Sequence, residues 1–224
     1  MEEASASVFL RVLHDALWSG PGSADLLIPK LDLGALLPDA CLQWLSTHGA
    51  EIHMGQRLTA SEIAALQQEA SQNARQAVLL ACPPWEAARL SADIAPQWAD
   101  PCAKLSHTAI ATVYLHCTDA GFAGLARPMM ALHSNAQEPA QFVFDRGALS
   151  GQPGLLAAVV SACQSERDDL TQSVQAQVCK VFGLNQVTVV QTVVEKRATL
   201  ACTAGLNRPE SSIADGLWAC GDYI

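Results

Sequence analysis

Residues 187–203 read VTVVQTVVEKRATLACT, and the first half of that stretch decides how the chain is read. The run 187–194 is rich in β-branched residues and long enough for a strand with both faces mostly covered, which predicts a place inside a sheet. Glu195, Lys196 and Arg197 then set three adjacent charges directly beyond it, as a solvated strand end or as the lining of a site. Further on, LWACGDY at 217–223 is a short apolar strand running into Gly221 and Asp222. Glycine at such a place lets a backbone or a ligand come close, and the acid can accept a hydrogen bond from a sugar-type hydroxyl. On its own, the pair is most simply a turn.

Working back from the strand at 187, residues 166–182 carry Leu170, Val174, Val178 and Phe182 on one side of a helix, with Asp168 and Asp169 in its first turn and Gly183 at its end. Strand composition recurs at 108–117, 128–133, 141–145 and 155–162, with turn formers over 145–153. Strands at this spacing without intervening helices predict a largely antiparallel or mixed sheet, and the helix at 166–182 supplies its cover. The expected fold class is therefore α+β.

The first hundred residues are more mixed. A helix over 5–18 is stopped by Gly20-Pro-Gly22; 25–37 is irregular, and Pro38 opens a second helix that ends before Gly49. Residues 50–58 alternate as a strand does, 61–66 read as strand or helical turn, and the polar stretch 67–76 reads as a loop. AVLLAC at 77–82 is a buried strand ended by Pro83-Pro84, after which a helix starts near Trp85.

Composition narrows the function classes. Half of the residues are hydrophobic, and 13 basic against 22 acidic residues leave a net charge of −9 with no basic stripe, a poor match to a nucleic-acid backbone. The eight cysteines are spread singly, as small buried hydrophobes of a reducing compartment, and the six histidines show no metal-ligand spacing, so no metal is expected. The N-terminus has no secretory pattern and no run reaches the ~18 apolar residues of a membrane span, so a cytoplasmic place, with contact at the periphery of the inner membrane, is expected. No Gly-x-Ser-x-Gly elbow supports a hydrolase.

Taken together, EKRATLACTAGLNRP (195–209), LWACGDY (217–223), VLLACPPWEAARL (78–90) and DLLIPKLDLGALLPDACLQWL (25–45) resemble the flavin-containing amine oxidase and phytoene desaturase superfamily, and within it the hydroxysqualene dehydroxylases, also described as squalene-associated FAD-dependent desaturases. The resemblance runs through nearly the whole chain but matches only the later half of such a protein, and no Gly-x-Gly-x-x-Gly fingerprint occurs, so a fragment is expected. It implies a helical part of the substrate domain at 1–48, a returning segment of the FAD-binding domain at 49–100, the substrate-binding sheet and helix at 101–203, and the start of a C-terminal FAD-binding segment at 204–224.

By the same resemblance the cofactor is FAD, with Leu58, Pro83, Gly221 and Asp222 as its contacts. The activity is removal of the hydroxyl of hydroxysqualene to give squalene, in hopanoid biosynthesis, and the chain alone is expected to be inactive. Lys196 and Arg197 are the candidate catalytic cations, with Glu195 or Asp145 as alternative ion-pair partners, and Val113, Leu115, Met129, Met130 and Phe144 are candidates for an apolar substrate wall or for plain core. Expected partners are the isoprenoid, the N-terminal FAD-binding half and a second copy of the chain. Two other readings are another oxidase or desaturase of the superfamily and a non-catalytic module that holds an apolar ligand.

Overall fold

The computed structural model describes residues 5–163 and 165–224; the first four residues of the acidic start lie outside them. The chain is α+β, and it divides into two compact units.

The sheet unit comprises Leu26–Ile52 and His107–Thr199. Its strands are β2 (His107–Cys117), β3 (Met129–Ala131), β4 (Phe142–Asp145), β5 (Leu155–Ser161) and β6 (Val187–Leu200), in the order β3-β4-β5-β2-β6. Neighbours run antiparallel from β3 to β2. Hydrogen bonds from Thr118 N–H to Gln186 O and from Ala201 N–H to Ser106 O bracket β2 and β6 at opposite ends, so that pair is antiparallel too.

Alternation along β2 sorts the sheet into two faces. Ala111, Val113, Leu115 and Cys117 are buried with Val143, Leu156, Ala158 and Val160 of the neighbouring strands. Helix α8 (Arg167–Phe182) covers this face with Leu170, Val174 and Val178, as the 3.6-residue spacing of those side chains predicts. Asp168 and Asp169 sit in its first turn, and Gly183 ends it in a left-handed conformation. The other face carries Thr112, Tyr114, Phe144 and Val159, all half-buried.

Gln177 ties the two layers together. It is 1% exposed; its Oε1 accepts the Ala140 N–H at 2.8 Å, and its Nε2 donates to Ala140 O at 3.0 Å and to His133 O at 3.1 Å. The loop entering β4 thus satisfies its backbone on α8 rather than on water.

Three expectations change here. The Val187 run does not lie inside the sheet: β6 is an edge strand, with Val189, Val190 and Val193 exposed, and the central places go to β2 and β5, whose core-facing side chains are all apolar. Nor do the charges stand beyond it, since β6 runs through Glu195, Lys196 and Arg197 to Leu200. The segment 145–150, read as turn, contains α7 (Arg146–Ser150), capped by Asp145 Oδ1 on Ala148 N–H.

The helical unit comprises 5–25, His53–Ser106 and Leu200–Ile224. Strands β1 (Val78–Leu80), β7 (Ser212–Ala214) and β8 (Leu217–Ala219) form a small sheet in the order β1-β8-β7, with β1 and β8 parallel and β7 antiparallel to β8. Helices α4 (Ala60–Gln72), α5 (Pro84–Ser91) and α6 (Pro96–Ala103) contribute Ile63, Ala87, Leu90 and Cys102 to a core shared with Leu80, Leu217 and Tyr223. Gly216 admits α4: with φ +77°, a Cβ there would stand 2.8 Å from Ser71 N.

Residues 50–58 form no strand, and 67–72 belong to α4 instead of a loop. The cause is a capping box: the Thr59 hydroxyl accepts the Glu62 N–H, and Glu62 Oε2 accepts the Thr59 N–H at 2.7 Å. That commits the chain to a helix at Ala60. Residues 5–25 belong to this unit, whereas the domain division above placed 1–48 together in the substrate domain, and the remaining unit boundaries fall at 53, 107 and 200 rather than 49, 101 and 204. The helix at 5–18 is an α-helix, α1 (Ala6–Leu13), followed by a π turn over His14–Trp18.

Replacing Gln177 with Leu keeps the shape but strands the Ala140 N–H and C=O. The expected loss is about 1–3 kcal/mol of stability, read as a lower urea midpoint; an unchanged midpoint would show that the clasp contributes nothing.

Candidate functional site

In the sheet unit, the face opposite α8 carries a cavity of about 400 Å³. Strand register builds its floor: Tyr114 of β2 stands opposite Ala157 of β5, which stands opposite Phe144 of β4, and Thr112 stands opposite Val159 one step along. The segment 28–33 and Leu149 of α7 complete the wall. Helix α2 (Leu33–Leu36) begins at the rim, where Asp32 Oδ1 accepts the Ala35 N–H at 2.9 Å. An aromatic and aliphatic wall with a few polar groups is the usual make-up of a small-molecule site.

The polar groups in this wall are Thr112, Tyr114, Asp32 and Arg146. Arg146 is half-buried at the first position of α7, and its guanidinium has no hydrogen bond or ion pair with any described residue. The adjacent Asp145 does not neutralise it. That carboxylate is 3% exposed, with Oδ1 on Ala148 N–H and Oδ2 on Leu125 N–H at 2.7 Å.

The predicted apolar wall separates by face. Phe144 lines the cavity, and Met129, opposite Phe144 in register, shares its face. Val113 and Leu115 do not belong to it: both are fully buried in the core beneath α8, and Met130 pairs with Val143 on that side. A period of two forces the choice, since side chains next to Tyr114 on the strand point the other way.

Lys196 and Arg197 are exposed on the edge strand β6. Of the two alternative acids, Asp145 is buried with its oxygens on backbone N–H groups, and Glu195 Oε1 accepts the backbone N–H of Arg197 at 2.9 Å. The half-buried cation is Arg146, which no motif in the sequence marks.

The four cofactor candidates all fall in the helical unit. Strands β1 and β8 are parallel neighbours with Leu80 opposite Ala219, so Pro83 and Gly221-Asp222 follow the carboxyl ends of adjacent strands, the side on which open parallel sheets bind ligands. Leu58 joins them through α5. Arg57 pairs with Glu86 at 3.1 Å, and Arg89 bridges Glu86 at 2.6 Å and Leu58 O at 3.4 Å. Hydrogen bonding from Arg89, and then from Arg57, outweighs burial and holds the Glu86 carboxyl down at about 2.

Whether these residues fit FAD depends on what they have free. Asp222 is exposed beside Gly221 and suits a hydroxyl-bearing segment of the nucleotide. The backbone elsewhere is engaged: Pro83 O accepts from Glu86 and Ala87 N–H at 2.9 Å each, and Leu58 O from Arg89. At Gly221 the open space is filled from within, since a Cβ there would lie 2.7 Å from the Tyr223 ring. Among the described residues the turn from β1 to α5 has no glycine with which to cradle a pyrophosphate. The residues therefore fit one segment of the dinucleotide and leave its phosphates without a cradle.

Cysteine placement is mixed. All eight are free; Cys102 and Cys117 are buried, and Cys41 and Cys220 are exposed, unlike the small buried hydrophobes expected. Burial pushes the Cys102 thiol up to about 11, so it is inert at neutral pH. Among the described residues no three His, Cys, Asp or Glu side chains converge to hold a metal ion, and no helix is long and apolar enough to cross a membrane.

No protein-family model matches this chain, and no curated protein does. A solved structure that carries the provisional name protoporphyrinogen oxidase, from Exiguobacterium sp. 255-15, is similar over 58% of this chain and 30% of its own, at 17% identity and a TM-score of 0.42. This chain thus spans under a third of that protein, and a likeness at this level fixes neither family nor activity.

The Glu86 cluster carries a pH signature. Its carboxyl titrates lower in the folded chain than its ordinary 4.5, so its contribution is complete above that value and is lost as pH falls toward about 2. Glu86→Gln should lower the thermal midpoint at neutral pH, with the gap to the parent chain closing on acidification. A gap of constant size would show that the pair's charge does not stabilise the fold.

Proposed function

We propose that this chain is the substrate-binding part, with a portion of the cofactor-binding part, of an FAD-dependent oxidoreductase acting on a long isoprenoid. The specific reaction favoured is reductive removal of the hydroxyl of hydroxysqualene to give squalene, a step of hopanoid biosynthesis. The observation that carries this reading is convergence. Leu58, Pro83 and Gly221-Asp222, which the sequence resemblance assigns to one cofactor, are far apart in the chain yet joined through the β1–β8 pair and the Arg57–Glu86–Arg89 cluster.

When bound in its reduced form, FAD would supply the hydride. The chain's own tasks are to bind, orient and keep dry. The wall of Phe144, Leu149, Ala157 and Val159 would hold the stretch of the apolar chain next to the reacting carbon away from water, where positive charge developing on carbon is protected from side reactions. Tyr114 and Thr112 are positioned to hydrogen-bond an alcohol, and Arg146 replaces Lys196 and Arg197 as the cation able to stabilise a departing hydroxyl oxygen. Asp222, next to Gly221, would hold a hydroxyl of the cofactor. The phosphates require a segment with a strand-linked Gly-x-Gly-x-x-Gly, the N-terminal half that the resemblance implies as partner.

A second reading, a non-catalytic holder of an apolar ligand, is favoured by one feature: the cavity is built entirely within the sheet unit.

The test is complementation. Alone, the chain should leave gel filtration colourless; joined to a polypeptide bearing the glycine-rich segment, it should be yellow and, once reduced, convert hydroxysqualene to squalene by mass spectrometry. Asp222→Ala should weaken FAD retention about tenfold, the worth of roughly one charged hydrogen bond. Flavin retained by the chain alone would contradict the missing-cradle argument, and a complemented protein that stays colourless would end the flavoenzyme reading.

A further inference from the structure

Arg146 poses a question that an alcohol-binding site leaves open. A half-buried guanidinium offers five N–H donors in a planar fork, and in this chain none of them meets an acceptor among the described residues. Groups of this kind are normally paired, because desolvating a charge without a partner is costly. The helix does not explain its presence, since a cation at the first position of α7 gains nothing from the helix dipole. Nor does its neighbour, because both oxygens of Asp145 are taken by the Leu125 and Ala148 N–H groups.

What Arg146 does share is a cavity with an apolar wall. Phe144, Leu149, Ala157 and Val159 are continuous with it, and Tyr114 and Thr112 add two hydroxyl donors with no described partner. A planar fork matches a carboxylate in two parallel hydrogen bonds, a geometry that a lone hydroxyl cannot use. The volume sets a size: about 400 Å³, at ~30 Å³ for each water-sized group, admits roughly a dozen heavy atoms. The one opposing charge in the wall is Asp32, whose Oδ1 is already committed to the Ala35 N–H.

We infer that this cavity binds medium- and long-chain carboxylates, with the head group on Arg146 and the first ten or so carbons along the Phe144–Ala157–Val159 wall. The inference rests on the reading of this cavity as the site for an apolar chain, and not on the flavin. Carboxylates would then be a second ligand class, competing with the alcohol for the same wall.

The test uses the whole chain and three probes that differ only at the head: decanoate, decanol and decylammonium, each titrated calorimetrically below its micelle concentration. One-to-one binding is expected, with decanoate at least about tenfold tighter than decanol and decylammonium weakest. Arg146→Met should cost decanoate far more affinity than decanol and so remove the preference between them; Arg146→Lys should keep part of the preference. Val159→Trp, which fills the cavity, should abolish binding of all three. The wild-type ranking stands as a test even where a variant fails to fold.

Equal affinity for decanoate and decanol overturns the inference while leaving the apolar cavity intact. Tightest binding of decylammonium also overturns it and makes Asp32 the anchor. Binding that survives Val159→Trp places the ligand elsewhere and overturns it. Failure of all three probes to bind one-to-one removes the cavity reading along with the inference.

Discussion

Everything in the sheet unit follows from which way the side chains of β2 point. Ala111, Val113, Leu115 and Cys117 turn toward Leu170, Val174 and Val178 of α8 and leave almost no surface to water. Burying a Val or Leu side chain contributes roughly 1.5–3 kcal/mol, so a slip of one residue would forfeit many kilocalories at once. Register is therefore strongly specified, and with it the opposite face. Tyr114 and Phe144 meet across Ala157 because the core side of the same strands leaves them no other direction.

The two units solve the same problem with different materials. In the sheet unit, one long helix and Gln177 cover a broad antiparallel sheet. In the helical unit, three short strands are too small to make a core, and α4, α5 and α6 supply most of it. Its carboxyl strand ends stay accessible because chain breaks cluster there: Pro83-Pro84 after β1 and Gly221 after β8. Tyr223 then folds back beneath Gly221, at a cost. Its hydroxyl is buried without a hydrogen bond and its phenol is pushed up by burial, the kind of unpaired group a folded protein usually avoids.

Much of this was written in the residues, at the level of pattern. The alternation at 108–117 and the 3.6-residue spacing in 166–182 specify a strand and the helix that covers it, and both form. What alternation does not state is which of its two faces meets the cover, so Val113 and Leu115 stood open between cavity wall and core until the cover was placed, and they are core. Thr59-x-x-Glu62 is a legible helix signal that the polar content of 67–76 obscured. The run at 187–194 looked interior by composition alone, because composition does not count neighbours. Arg146 had no local signal at all. Its significance comes from Thr112, Tyr114 and Val159, brought beside it by strand pairing from up to 34 residues away in the chain.

An edge strand as long as β6, with valines on display, offers a row of unsatisfied amides to any other extended chain. Natural sheets discourage such recruitment by planting charge where a new strand would zip on. Glu195, Lys196 and Arg197 stand on that rim, midway to its far end. Charge at such a place is one of the ways in which sheets make an open edge a poor template for a further strand.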